Sequence, residues 1–180
     1  MMKMIKKLAL ISQCVIMFCC CEQPGAHREQ IESATGVKND SQWVSERIAD
    51  CYATAHLASL VQDKQSSQEI KQLAVSITMQ QDTLMNGLKN YAAQKEISIP
   101  AIERQCDKAT IEKLVAEDPK TFDKAWCKKM LSWYQEAVQT YERAAVNETT
   151  GTALTNWINK TLPSIRSTLN KLIVSEKSLR

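Results

Sequence analysis

Turn-forming residues are scarce in this chain, which has four glycines and four prolines among 180 residues. So few breaks leave little room for many short strands, and all-α is the natural class. Histidine is scarcer still, with His27 and His56 alone. No histidine stands near a Ser or Cys in sequence, so a nucleophilic triad could be assembled only around His56. Neither GxGxxG nor GxxxxGKS occurs, which removes the common phosphate-cradling loops. The sequence identifies no catalytic constellation, and the chain reads as a non-enzyme.

An excess of one charge is missing too, although the formal net charge of +3 hides this. Residues 1–21 carry Lys3, Lys6 and Lys7 and no acid, so the remainder holds 20 basic and 20 acidic residues. Basic residues alternate with acids along it, the pattern of solvated helix faces and not of a nucleic-acid patch.

Those first 21 residues read as an export signal of lipoprotein type. A charged start is followed by the apolar run Leu8 to Phe18 and then by Cys19, Cys20 and Cys21. The run is too short for a lasting span, which needs about 20 apolar residues. Cys20 or Cys21 is the candidate for acylation, because each follows a small residue whereas Cys19 follows Phe18. The expected location is periplasmic or outer-membrane-anchored, with the lipid anchor as the contact to membrane. Residues 22–40 are polar, contain Pro24, Gly25 and Gly36, and read as a flexible tether. Residues 41–178 form the expected folded domain. Its cysteines, Cys51, Cys106 and Cys127, fit no zinc spacing. Two of the three could pair in an oxidising compartment, and the sequence does not say which.

Four amphipathic segments fill this domain. The first runs from capping residues near Asn39–Ser41 to about Asp63, with Val44, Ile48, Cys51, Tyr52, Ala55 and Ala58 on one face. The second covers about Gln68 to Lys95, with Ile70, Leu73, Ala74, Ile77, Leu84, Leu88 and Tyr91. Gln81 falls on that stripe where an apolar residue is due, and a buried amide must find partners. A connector from Glu96 to Lys120 is longer than a hairpin needs, and Ala109–Ala116 could form a short helix within it. It can cross one end of a bundle or run along its length. The third segment, capped by Thr121, places Phe122, Trp126, Met130, Trp133, Tyr134 and Tyr141 on its inner face. The chain is only 6% aromatic, so this helix reads as the anchor of the core. The fourth runs from about Thr152 to Ser175, and Pro163 inside it predicts a kink. The segments themselves predict a four-helix bundle with a long connector between helices two and three.

Three stretches in order carry a resemblance. They are EIKQLAVSITMQQDTLMNGLKNYAAQKEISIP, TFDKAWCKKMLSWYQEAVQTYERAA and LTNWINKTLPSIRSTLNKL. The FD opening the second and the LP followed by IR in the third are the more specific signs. Together they resemble the bacterial family named as domain of unknown function 4142, over about Ala53 to Leu172. The resemblance implies an exported protein of ferritin-like fold. It also implies inward histidines at the places held here by Gln80-Gln81, Trp133-Tyr134 and Thr168, and a glutamate near Thr54 to His56. None of these groups is present. Gln81, Tyr134 and Thr168 are expected to form a polar layer in the core instead. Neutral amide, phenol and hydroxyl groups are poor ligands for iron or zinc, so no metal and no cofactor is expected.

The reading is a membrane-tethered cell-envelope lipoprotein with a binding or structural role and an envelope protein as possible partner. The alternative is a ferritin-like metal-binding or oxidoreductase-type protein. A third reading, an apolar ligand held between Trp126, Trp133, Trp157 and Tyr134, would require an open cavity beside those rings.

Overall fold

The computed structural model describes residues 24–99 and 105–179, with side chains described over 40–99 and 107–179. The segment expected as an export signal, with Cys20 and Cys21, lies outside them, as does the side chain of Cys106. Among the described residues there are five helices: α1 (Pro24–Ser59), α2 (Gln68–Gln94), α3 (Gln105–Val115), α4 (Pro119–Ala145) and α5 (Thr152–Ser178). A single 3-10 turn, Leu60–Asp63, closes α1. No described residue is in a strand. The described residues form an all-helical bundle of four long helices and one short one.

Three boundaries differ from the sequence expectation. The stretch expected as a flexible tether is helical from Pro24 onward. Proline suits the first helical position, where its missing N–H has no partner to lose. The polarity of that stretch argues against core burial, not against helix. Helix α4 begins at Pro119, capped by Asp118, whose Oδ1 accepts from the Lys120 amide at 2.8 Å. Thr121 instead bonds the Glu117 carboxylate at 2.8 Å. The connector helix starts at Gln105, four residues before the expected Ala109. Helix α5 continues through Pro163, which is exposed.

Helix α1 packs mainly on α2, and α4 on α5. Contacts between named residues fix the directions. Residues 40 and 91 meet in the first pair, and residues 127 and 172 in the second. The Trp126 indole donates to the Leu57 carbonyl at 2.8 Å, while Trp43 lies edge-on to Tyr141 with centroids 5.1 Å apart. So α1 is antiparallel to both α2 and α4, and α2 and α4 run the same way. The connector must therefore return along the length of the bundle. Its start is held where Ser45 Oγ donates to the Ser98 carbonyl. Its end is held where Lys64 Nζ donates to the Val115 carbonyl at 2.7 Å. This is the second of the two paths that the connector length allows.

Helices α1, α2, α4 and α5 form the core with the apolar stripes expected of them. Ile70, Ile77, Leu88, Trp126, Met130, Leu154, Ile158 and Leu172 are fully buried. On α1, Leu57 is buried and Ala55 only half-buried, a small rotation from the expected face. At the end where α5 begins, buried Asp40 accepts from the Tyr91 hydroxyl through Oδ2 and from the Gly151 amide through Oδ1, at 2.5 and 3.1 Å. One carboxylate thus ties α1, α2 and the first turn of α5. Gly151 permits it, because a Cβ there would lie 2.6 Å from Asp40 Oδ2. Gly87 on α2 is needed similarly, since a Cβ would lie 2.5 Å from the Trp157 indole nitrogen.

Replacing Asp40 by Ala strands two donors, each costing about 1–3 kcal/mol when buried. Urea unfolding of Asp40→Ala is expected to show a loss of that order, and Asp40→Asn a smaller one. A loss under about 0.5 kcal/mol, the range of an ordinary surface substitution, would contradict the clamp.

Candidate functional site

Halfway along the bundle the stripe of α2 places Gln81 inside, as its period requires. The Gln81 amide donates to the Tyr134 hydroxyl at 2.9 Å, and that hydroxyl donates to the Gln80 side-chain carbonyl at 2.7 Å. Gln80 Nε2 then donates to Ser164 Oγ at 2.7 Å. A chain of hydrogen bonds therefore runs from the core outward, joining α2, α4 and α5. Gln81 and Tyr134 are both buried. Burial holds the Tyr134 phenol well above its ordinary range, and the Gln81 amide acts in the opposite direction. A neutral phenol serves here as donor and acceptor at once. Thr168 is buried nearby on α5, but the chain passes to Ser164, one helical turn earlier. The polar layer is thus Gln80, Gln81, Tyr134 and Ser164. Sequence reasoning missed Ser164, whose only signal is its four-residue offset from Thr168.

A recess of about 330 Å³ opens beside this level, bounded by α1, α3 and α4. It exists because the returning connector lays α3 across that face. Asp50 and Arg47 of α1, Asp107 of α3, and Trp133 and Glu136 of α4 line it. Beneath it a void of about 30 Å³ shares Arg47, Asp50, Thr54, Trp133 and Ala137 and reaches Gln81 and Tyr134. The recess therefore narrows toward the polar chain. Arg47 Nε lies 2.7 Å from Asp50 Oδ2, yet it lacks the alignment of a hydrogen bond. The contact is an ion pair and not a directed bond. The guanidinium also stacks 5.7 Å from the Trp43 ring centre. Asp50 is the carboxylate of α1 at this level, one turn before the Thr54–His56 window, and it is taken up by Arg47.

The expected residues are distributed unevenly. Trp133 borders the recess, Tyr134 is in the core, and Trp126 and Trp157 pack at different levels. His56 is exposed on α1. Among the described residues no three His, Cys, Asp or Glu side chains come together as a metal-binding group. No helix among them is long and apolar enough to cross a membrane. Cys51 and Cys127 are free and buried, so the expected pairing does not join them. Their helices present them at different levels, Cys51 below the recess and Cys127 against the Leu172 carbonyl. Burial first, then the Asp50 charge, pushes the Cys51 thiol up to about 12. Burial first, then Glu176, pushes Cys127 up to about 11.

Fold and site together define the class of domain. It is an all-helical bundle with a polar mid-level and a lateral recess. The chain belongs to the family described as domain of unknown function (DUF4142), whose model matches residues 25–173. No curated protein and no solved structure matches it.

Both buried thiols stay protonated in the native chain at a pH where they ionise once unfolded. Their contribution to stability is full below about pH 9 and is lost as pH rises toward 11 to 12. A thiol-reactive disulfide reagent at neutral pH is expected to modify neither Cys51 nor Cys127 until denaturant is added. Rapid native labelling of either would contradict their burial.

Proposed function

We propose that this is an exported, lipid-anchored envelope protein whose helical bundle binds a ligand or partner and performs no chemistry of its own. The observation that carries the reading is the closed hydrogen-bond chain at the bundle's mid-level. The places where the family resemblance implies imidazoles are filled by Gln81 and Tyr134, which satisfy each other. Groups already paired in this way neither bind metal well nor move protons at neutral pH. The remaining charged groups line an open recess, which is where a binding function would be located.

The single long crossover between parallel α2 and α4 supports a ferritin-like arrangement, in which metal is ordinarily held at mid-level. On this reading the chain fills the centre of such a bundle with neutral donors and acceptors. Anchoring rests on the sequence of residues 1–21, with Cys20 or Cys21 as the acylated thiol. The helix from Pro24 to Asn39 would then join the lipid to the bundle, in place of a loose tether.

Replacing both Cys20 and Cys21 by Ser is expected to abolish labelling by a fatty-acid probe in cells, and persistent labelling would refute the anchor. Elemental analysis of protein purified without chelators is expected to find no stoichiometric metal. Tightly held metal at one per chain would instead favour the metal-handling alternative.

A further inference from the structure

We propose that the Arg47 side chain is a gate between the lateral recess and the buried polar chain at the middle of the bundle. The gate concerns access alone and is independent of what the recess binds. Two spaces lie one behind the other at this level. The outer one is the recess of about 330 Å³ between α1, α3 and α4. The inner one is the void of about 30 Å³, whose lining includes Gln81, Tyr134 and Cys51.

Five residues line both spaces and so make the partition: Arg47, Asp50, Thr54, Trp133 and Ala137. Ala137 has no side chain to swing, and those of Asp50 and Thr54 are short. Trp133 packs against the core, and moving it would forfeit many close apolar contacts at once. Arg47 alone of the five combines a long, flexible stem with a head group that water can receive.

The hold on that head group is undirected. Arg47 Nε lies 2.7 Å from Asp50 Oδ2, yet it is buried without an aligned hydrogen bond. The guanidinium also stacks 5.7 Å from the Trp43 ring centre. Charge and stacking thus keep the side chain in place where a bidentate pair would lock it. A second carboxylate, Glu46, stands 3.6 Å from Nη2 and is the more exposed of the two, at 46% against 35% for Asp50. The guanidinium therefore has a partner on the solvent side when it leaves Asp50. With Arg47 turned outward, recess and void become one pocket whose floor is the Gln81–Tyr134 pair. With Arg47 in place, that pair is sealed from water.

Cys51 reports the state of the gate, because its buried thiol borders the inner void. Cys127 is the internal control, since it packs elsewhere, against the Leu172 carbonyl. Purified protein is treated with methyl methanethiosulfonate at about pH 8, and each cysteine is followed separately by peptide mass mapping. Arg47→Ala is expected to speed native labelling of Cys51 about tenfold or more and to leave Cys127 at the parent rate. Arg47→Met removes the same charge but keeps most of the length, and should speed Cys51 labelling less. The Arg47 charge favours the Cys51 thiolate, so its loss alone would slow the reaction, and acceleration reports access. Circular-dichroism melts of both variants check that the fold is kept. The proposal is overturned if Arg47→Ala leaves Cys51 at the parent rate, or if Arg47→Met matches Arg47→Ala. It is overturned equally if Cys51 and Cys127 accelerate together, which is general loosening of the bundle and not a gate.

Discussion

A glutamine in the middle of a helical core must be hydrogen-bonded, and the hydroxyl that meets Gln81 fixes how three helices stand against one another. An unpaired amide at that depth would cost a few kcal/mol, a large share of a domain's net stability. Tyr134 solves this because a neutral phenol both accepts from Gln81 and donates to Gln80. Gln80 then reaches Ser164 at the edge of α5. The bonds are directional, so they select one register of α2 against α4 and α5 where apolar stripes alone would tolerate sliding. The Asp40 clamp does the same work at one end of the bundle, and the Trp126 indole does it toward the other, where it takes the carbonyl of Leu57.

The shared direction of α2 and α4 has a structural consequence of its own. A chain that must enter the third long helix at the far end has to travel back, and it does so outside the bundle with α3. Laying a fifth helix over the α1–α4 face leaves a space that four helices would close by direct packing. Charged side chains of α1 and α4 occupy that edge, since they are neither in the core nor fully in water. The recess and its charged lining therefore follow from topology as much as from local sequence.

Much of the fold was legible in the sequence because helical burial is periodic. The stripes of α2 and α4, the inward Gln81 and the long connector were all read from spacing. Tyr134 as a member of the polar layer rests on the family resemblance, and the structure joins it to Gln81. What escaped was whatever depends on how helices face one another. Ser164 is an exposed serine with no period to mark it. Asp50 sits one turn from the place where the family resemblance implies a carboxylate. The path of the connector follows from helix direction, which no stripe encodes. The helical start at Pro24 carries no apolar period, because a helix that buries no stripe needs none. The two free thiols show that separation along the chain says nothing about approach in space.

The central claim is that Gln81 and Tyr134 satisfy each other inside the bundle and that the mid-level is thereby complete. A double-mutant cycle measures this directly: urea unfolding of Gln81→Leu, Tyr134→Phe and the pair. Tyr134→Phe should cost about 1–3 kcal/mol by stranding the Gln81 amide, and Gln81→Leu about 1 kcal/mol, because the Tyr134 hydroxyl keeps its bond to Gln80. The pair should cost less than the sum, with a coupling of about 1 kcal/mol or more. Strictly additive losses would mean that the two side chains do not depend on each other, and would contradict the account.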